Sequence, residues 1–234
     1  VLIVLDVSPS MKLKDAGAQM QLTRTKRAAE VMESLFKRMS TERMSWSVVA
    51  VYSDAKPVVV DTKDLEVVRN ILADLPLDQA FEAGTTDLVQ GLAVAADIAR
   101  PWKQASTTLV LISDGDTEPT AAMPSMPPSI SDVLVIGVGD PRAGRFIDGH
   151  MSRQEASTLR QMAARLHGVY HDANQKHVDT ETMRRVLKVS AEDRGERWTR
   201  REAALVAVAT GAGLLVLLPL LLTLWGVRWR PGVW

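Results

Sequence analysis

Three segments of this sequence offer hydroxyl and carboxylate oxygens and contain no thiol or imidazole. The first and the third directly follow apolar runs, as the polar end of a buried strand would. Mg²⁺ takes such oxygen ligands in an octahedral shell and keeps some of its waters. The pattern therefore predicts a metal site, with Mg²⁺ as the expected ion and Mn²⁺ or Ca²⁺ as alternatives. The segments are Asp6-Val7-Ser8-Pro9-Ser10, Gly84-Thr85-Thr86-Asp87-Leu88 and Ser113-Asp114-Gly115-Asp116.

The elements that position these segments begin with short, nearly continuous apolar runs. Such runs are typical of strands that are covered on both faces, as in a parallel sheet. A close pair of runs separated by residues 53–57 indicates a hairpin. The predicted strands are Val1 to Val7, Trp46 to Tyr52, Val58 to Val60, Thr108 to Ile112, Asp132 to Val138 and a short last strand, Val169 to His171.

Helical periods of apolar residues occupy the segments between these strands. Ser152 and Glu155 indicate a capping box at the start of the fourth helix. The alternation of strands and helices predicts a doubly wound α/β domain, a mostly parallel sheet flanked by helices. The predicted helices cover Ala28 to Met39, Leu65 to Leu75, Leu88 to Ala99 and Leu159 to Leu166, with a last short helix over Thr182 to Val189.

The stretch from Thr117 to Ser131 breaks this alternation because it contains four prolines. A helix would normally cross the sheet at this point of the chain. Proline removes a helical hydrogen bond and clashes with the preceding turn. We therefore expect an extended surface connection beside the proposed metal.

The carboxyl ends of the strands bring the polar segments together. In open α/β sheets, ligands bind beyond that edge of the sheet. Asp6, Ser8 and Ser10 leave one strand there, Asp114 leaves another, and a threonine at the start of a helix can reach the same place. These groups carry too little charge to satisfy a divalent ion alone, so we expect an open coordination position for an acidic ligand.

This arrangement resembles the von Willebrand factor type A domain and its metal-ion-dependent adhesion site. The family signature is Asp-x-Ser-x-Ser, then a threonine, then an Asp-Gly turn. Residues 6–10 match the first part in full, and residues 114–115 match the last part. The run 86–92 looks like the threonine segment, which assigns Thr86 rather than Thr85.

The resemblance also implies a role for each candidate ligand. Ser8, Ser10 and Thr86 would contact the metal directly or nearly so. Asp6 and Asp114 would act chiefly through water and hydrogen bonds. A carboxylate from a partner protein would complete the shell.

Further along, the chain resembles the Bat-type aerotolerance proteins of bacteria, so that the likeness runs from residue 1 to about 189. Residues 151–153, 159–163 and 168–170 carry this part of the resemblance. Bat-type proteins are anchored by a helix after the domain and are associated with MoxR-type AAA+ ATPases, and similar proteins accompany metalloenzyme maturation systems. Two features depart from the family: Thr85 replaces the second glycine of the usual Gly-Gly-Thr, and the proline-rich stretch replaces an expected helix.

Composition narrows the function classes. The chain has 28 basic and 28 acidic residues, and this balance predicts no nucleic-acid partner. It has no cysteine, which excludes thiol catalysis, zinc-thiolate sites and disulfides. Of the four histidines only His167 and His171 are four residues apart, and Gly168 interrupts that pair, so we expect surface or packing roles for all four. About 190 residues are enough for one domain with a core.

A membrane span is predicted near the carboxyl terminus. Ala203 to Trp225 is a stretch of 23 residues without a charge. As a helix it would measure roughly 35 Å, against a hydrocarbon core of about 30 Å. Tryptophans cluster at both of its ends, where indole rings favour the membrane interface. The predicted organisation is a domain over 1–190, a charged connector over 191–202, a transmembrane helix over 203–225 and a short basic tail over 226–234.

The side of the membrane stays open. Four arginines precede the predicted span and two follow it, a count that favours a cytoplasmic domain. The chain opens on Val1 inside a predicted strand and without an initiator methionine, so we expect further sequence upstream. A membrane span or signal peptide in that upstream sequence would change which side of the membrane the domain is predicted to occupy. The expected location is the bacterial inner (cytoplasmic) membrane.

An enzymatic alternative rests on Asp6, because an aspartate that ends the first strand of an α/β fold is a possible phosphoryl acceptor. Haloacid-dehalogenase phosphatases have a second aspartate two positions on, where this chain has Ser8. The acid/base of that reaction is therefore missing, and Mg²⁺-dependent phosphotransfer is the weakest hypothesis.

The leading hypothesis is a non-enzymatic, metal-dependent protein-binding module at a bacterial membrane. Mg²⁺ would bridge Asp6, Ser8, Ser10, Thr86 and Asp114 to an acidic side chain of a partner. The setting would be a complex with related membrane proteins and a MoxR-type ATPase, in stress tolerance or metalloenzyme maturation. The alternative is a structural assembly subunit in which the metal only stiffens loops.

Overall fold

The computed structural model describes residues 1–39, 41–73, 75–117, 122–174, 177–186, 204–205, 207–214 and 217. The chain divides into two units, Val1–Val189 and Ser190–Trp234. The first unit holds the sheet, its helices and every candidate site residue.

Strands and helices alternate along the first unit. Short 3₁₀ turns cover Pro9–Lys12, Thr41–Arg43 and Leu77–Ala80. The strands are β1 Leu2–Asp6, β2 Lys14–Ala16, β3 Leu22–Thr23, β4 Trp46–Val51, β5 Ala55–Thr62, β6 Thr107–Ser113, β7 Ile130–Gly137, β8 Arg145–Ile147, β9 His150–Ser152 and β10 Val169–Asp172. The helices are α1 Arg24–Phe36, α2 Leu65–Ala73, α3 Leu88–Ala99, α4 Ala156–Arg165 and α5 Thr180–Val186.

Six of these strands form the central sheet, in the order β10-β7-β6-β1-β4-β5. All neighbours are parallel except β4 and β5, which form an antiparallel hairpin. Strand β1 lies between β4 and β6, and Ile3 pairs with Val48 on one side and Val110 on the other. The carboxyl ends of β1 and β6 therefore lie side by side, which is the placement that the candidate site requires.

Side chains of β1 alternate between two separate cores because successive residues of a strand point to opposite faces. Ile3 and Leu5 pack in one core with residues of α1, α2 and α5. Leu2 and Val4 pack in the other with residues of α3 and α4. Helices thus cover both faces of the sheet, which confirms the predicted doubly wound architecture and explains the continuous apolar sequence of β1.

Helix α3 approaches the sheet unusually closely. A Cβ atom on Gly91 would lie 2.2 Å from a methyl carbon of Val51. The small residues of this helix therefore set its distance from β4. This packing fixes the start of α3, and with it the loop that carries Thr86.

The structure contains two short hairpins that the sequence did not predict, and it lacks the capping box predicted for α4. Strands β2 and β3 pair with each other, as do β8 and β9, and neither pair has an apolar run long enough to predict it. The predicted capping box on α4 is wrong. Glu155 is the N-cap residue and makes no side-chain capping bond, while Ser152 ends β9 and is fully buried.

The proline-rich connection contains no helix or strand at its described residues 117 and 122–129, while its last two residues, 130 and 131, already belong to β7. Residues 118–121 lie outside the described part of the chain. Met123 and Met126 pack against the core that faces α3 and α4. The connection is thus irregular, as the prolines predict, and its methionines anchor it to the domain.

The described residues of the second unit are 204–205, 207–214 and 217, and they are helical. Among the residues that the structure describes, no helix is both long enough and apolar enough to cross a membrane. Most of the predicted span over 203–225 lies outside the described residues, so the span stays a prediction.

Candidate metal centre

The carboxylate of Asp6 organises the first loop of the site. It is buried at the end of β1. One oxygen accepts the backbone N–H of Ser8 at 2.9 Å, and the other accepts the hydroxyl of Ser113 at 2.6 Å. Both oxygens are therefore held by protein donors. Asp6 shapes the loop that presents the two serines and joins it to the end of β6.

The two serines form a directed hydrogen-bond chain. Their Oγ atoms lie 2.9 Å apart, and Ser10 Oγ donates to Asp114 Oδ2 at 2.6 Å. A hydroxyl has one proton, so Ser10 has none left for Ser8, and Ser8 must be the donor of the first bond. Lone pairs on both serine oxygens remain free to bind a cation.

Asp114 lies behind the serines at the end of β6 and is 1% exposed. Its Oδ1 accepts the backbone N–H of Asp116 at 3.0 Å. Its Oδ2 accepts from Ser10 and from Arg24 Nη1, the latter at 2.5 Å. Gly115 makes the turn with φ of +69°, where a Cβ would also meet the side chain of Leu159. The Asp-Gly turn therefore needs its glycine for both conformation and space.

Thr86 faces the same space from the third segment. It lines a cavity of about 450 Å³ together with Ser8 and Ser10. Asp87 next to it caps α3 by accepting the N–H of Gln90 at 3.0 Å, and its own N–H donates to the carbonyl of Tyr52 at 2.8 Å. These bonds tie the threonine segment to the end of β4.

The β8–β9 hairpin completes the rim of the cavity. Ile147, Asp148 and His150 line it, as does Asp116 from the Asp-Gly turn. His150 Nε2 lies 3.1 Å from Asp116 Oδ2. This histidine is at the surface, as expected, although it stands beside the candidate site.

The electrostatics of the site favour an added positive charge. Burial, and then the charge of Asp114, raise the pKa of Asp6 to about 7. Burial also raises the pKa of Asp114, although the charge of Arg24 and the hydroxyl of Ser10 oppose this effect. Two buried carboxylates close to each other disfavour each other's ionised form. A cation between the serines and the cavity would relieve that repulsion.

The donor atoms fit a small hard cation. Neighbouring ligands at about 2.0–2.1 Å from Mg²⁺ in an octahedron lie about 2.9 Å apart, and the two serine oxygens are 2.9 Å apart. Ser8, Ser10 and Thr86 would hold the ion directly, with Asp6 and Asp114 behind them. Within the described part of the chain, no three His, Cys, Asp or Glu side chains form a metal-binding group.

Sequence reasoning gave no supporting role at the site to four polar residues, although Ser113 lies in the third candidate segment and Ser152 was named as a helix cap. Arg24 connects Asp114 to Asp15 and to Ser152, and Ser113 connects Asp6 to the Asp-Gly turn. A signal for Arg24 was present. It precedes Ala28 by four residues, so it lies on the buried stripe of α1, where a charged residue requires a buried partner.

Comparison with known proteins supports the same fold. Residues 1–116 match the family model of the von Willebrand factor type A domain. This match covers all five candidate site residues and confirms the resemblance to the von Willebrand factor type A domain, while the metal site within it stays a prediction. Among curated proteins, no significant match to the chain is found.

Two solved bacterial structures share the fold over most of their length. An aerotolerance-related membrane protein from Bacteroides fragilis is 20% identical with a TM-score of 0.60, and the alignment covers 80% of this chain and 96% of that one. BatB from Bacteroides thetaiotaomicron is 17% identical with a TM-score of 0.59, over 80% of this chain and 95% of that one. At these identities the likeness establishes a shared fold.

Proposed function

We propose that this von Willebrand factor type A domain, matched over residues 1–116, is a divalent-metal-dependent protein-binding module. The hydrogen-bond chain from Ser8 through Ser10 to Asp114 is the observation that carries the proposal. It directs both hydroxyl protons inward and leaves the oxygen lone pairs free beside an open cavity. Structural hydroxyls with no further role would not need to line such a space.

The mechanism is binding rather than bond breaking. Ser8, Ser10 and Thr86 would hold the ion, which would supply a Lewis-acidic position for a carboxylate. Asp6 and Asp114 fix the two serines and would contribute negative charge. The cavity beside the serines leaves room for an acidic side chain of a partner.

A phosphotransfer reaction finds little support at this site. Asp6 is buried and each of its oxygens accepts a hydrogen bond from the protein, which makes it a poor nucleophile. Ser8 stands where the acid/base of that chemistry would be needed. A binding function therefore agrees better with the geometry.

The proposed cellular setting rests on the span predicted from the sequence and on the resemblance to Bat-type proteins. Residues 203–225 would anchor the module in the bacterial inner membrane. The proposal does not specify on which side of the membrane the domain lies. The partner would be a protein with an exposed acidic side chain, within a complex of related membrane proteins and a MoxR-type ATPase. Such a complex would act in stress tolerance or in metalloenzyme maturation.

Calorimetric titration of MgCl₂ into the full chain in detergent tests the metal site. We expect saturable binding by the unmodified chain. Ser10→Ala removes one ligand and should weaken binding at least about tenfold, since even supporting residues of metal sites are worth 10–100-fold. Ser125→Ala, at an exposed position that does not line the cavity, is the matched control and should bind as the unmodified chain does. Equal affinity in both variants would refute the site.

Affinity capture from solubilised membranes tests the second half of the proposal. Proteins that the unmodified chain retains in Mg²⁺ should be released by EDTA and should not be retained by Ser10→Ala. If capture is unchanged by EDTA and by the substitution, the domain assembles through other surfaces. The metal would then have only the structural role of stiffening the loops.

A further inference from the structure

Arg24 is a completely buried cation beside the candidate metal site. It is the first residue of α1, and its side chain has no exposed surface. Nε and Nη2 bind the two carboxylate oxygens of Asp15 at 2.9 and 2.7 Å. Nη1 donates to Asp114 Oδ2 at 2.5 Å and to Ser152 Oγ at 2.8 Å, and Nη2 also reaches the Ser152 carbonyl at 3.4 Å. All five guanidinium N–H donors therefore have acceptors.

The two carboxylates bound by Arg24 are held differently. Asp15 has a bidentate pairing with the guanidinium, the strongest geometry for this pair. Asp114 receives a single bond from Nη1 on the oxygen that also accepts from Ser10. The hydrogen bonds and charges of the two carboxylates outweigh burial and raise the pKa of Arg24, so the guanidinium stays charged. Asp15 is thus the fixed partner of Arg24, while Asp114 is shared with the serine chain.

When all three carboxylates are ionised, the charges of this region do not balance without a further cation. The buried carboxylates are Asp6, Asp15 and Asp114, and Arg24 is the buried cation bonded to two of them. Arg24 therefore offsets the charge of Asp15 and only part of the charge of Asp114. The guanidinium approaches Asp114 from inside the domain, whereas Ser10 approaches from the cavity side.

We propose that Arg24 is an internal cation that holds Asp114 in place before the metal binds and thereby sets the affinity of the site for the metal. The proposal rests on the function proposed above and assigns a positioning role, not that of a ligand. The guanidinium and the metal would share the negative charge of Asp114 from opposite sides. Each weakens the attraction of the other for that carboxylate, because like charges in a region of low dielectric repel.

Two consequences distinguish this role from simple structural support. Loss of the guanidinium charge should make the metal bind more tightly, since Asp114 would then have no competing cation. It should also make the stability of the domain depend on the metal, because the ion would then be the main counter-charge for Asp114. A residue that only supports the fold would destabilise the domain equally with and without metal.

The experiment measures Mg²⁺ affinity by calorimetry and the melting temperature with Mg²⁺ or EDTA, on the full chain in detergent. Arg24→Gln should bind Mg²⁺ at least about tenfold more tightly than the unmodified chain. Mg²⁺ should then raise its melting temperature by about 3–6 °C more than it raises that of the unmodified chain. Asp15→Asn/Arg24→Gln removes the buried carboxylate together with its partner and gives the same test if the single variant does not fold.

Two further variants serve as controls. Arg27→Gln removes the charge of another buried arginine on the same helix. Arg27 donates to the Ala173 carbonyl and to Glu30, not to Asp15 or Asp114. The substitution should lower stability without changing the affinity for Mg²⁺. Arg24→Lys keeps the positive charge without the planar fork and should leave the affinity near that of the unmodified chain.

The outcomes separate this inference from the proposed function. If the unmodified chain binds Mg²⁺ and neither Arg24→Gln nor Asp15→Asn/Arg24→Gln binds it more tightly, the inference is wrong and the proposed function stands. If the Arg24 variants bind Mg²⁺ and the unmodified chain does not, Arg24 holds the place of the cation and the native site is not a metal site. If none of the proteins binds Mg²⁺, both proposals are wrong.

Discussion

Two arginines of this domain each bridge two carboxylates, one in the interior and one at the surface. The buried triad is Asp15, Arg24 and Asp114, with side chains at most 2% exposed. The surface triad is Glu33, Glu66 and Arg69, on helices α1 and α2. There the side chains are 33–70% exposed. The bonding is alike, since each arginine uses Nε on one carboxylate and Nη1 on the other.

The difference in burial gives the two triads different roles. Water and salt already stabilise the exposed charges, so pairing them adds little. In the interior, each charge depends on its partners, and removal of one leaves the others unsatisfied. The same arrangement of residues therefore contributes little to the stability of the domain on the surface of α1 and α2, and contributes much beside the candidate metal site.

The largest effect should come from removing the buried arginine. Arg24→Gln leaves Asp15 and Asp114 without their counter-charge, and breaking a buried ion pair costs about 3–5 kcal/mol. We expect a loss of that size in the free energy of unfolding, measured by urea denaturation without metal. Arg69→Gln on the surface is the matched comparison. If the two substitutions cost the same, burial does not separate the triads.

A smaller effect should come from crowding the buried arginine. Gly139 has φ of +102°, and a Cβ there would lie 2.5 Å from Arg24 Nε. Gly139→Ala should therefore displace the guanidinium and also strain the backbone, at a cost of roughly 1–3 kcal/mol. Thermal or urea unfolding would measure the loss.

Gly149→Ala separates the two causes of that loss. Gly149 also has a positive φ, +87°, but a Cβ there would meet no atom within 4 Å. Its substitution adds only backbone strain. A Gly139→Ala variant that is no less stable than Gly149→Ala would show that Arg24 tolerates displacement, and the buried triad would then be less constrained than its contacts suggest.

The sequence predicted the frame of the molecule because burial on two faces leaves a clear pattern. Continuous apolar runs located β1, β6 and β7, and the alternation with helical periods gave the doubly wound order. The polar ends of β1 and β6 then had to meet, because parallel strands end at the same edge of a sheet. The positions of Asp6, Ser8, Ser10 and Asp114 follow from this rule.

Contacts between distant segments left no comparable pattern. Arg24 bonds to Asp114, 90 residues away, and to Ser152, 128 residues away. Ser152 was assigned to a helix cap because its spacing to Glu155 suits one, yet a short hairpin buries it against the guanidinium. Tertiary contacts of this kind override a local signal, and only the three-dimensional fold reveals them.

The smallest effect should come from the surface triad. Arg69→Gln should lower the free energy of unfolding by about 0–1 kcal/mol at low salt, as the loss of an exposed ion pair does, and by less at high salt.

The effect of Arg69→Gln should also depend on pH. The slight burial of Glu33 raises the pKa of its carboxyl group, but hydrogen bonding and charge from Arg69 outweigh this effect and lower that pKa. A carboxylate with a lowered pKa adds stability above its unfolded pKa and loses it as the pH falls. The difference between Arg69→Gln and the unmodified chain should therefore be complete at pH 7 and shrink as the pH falls through the ordinary glutamate range. A difference that persists in acid would show that Arg69 acts through packing, for which its position over the Phe36 ring, 6.0 Å from the centroid, offers the contact.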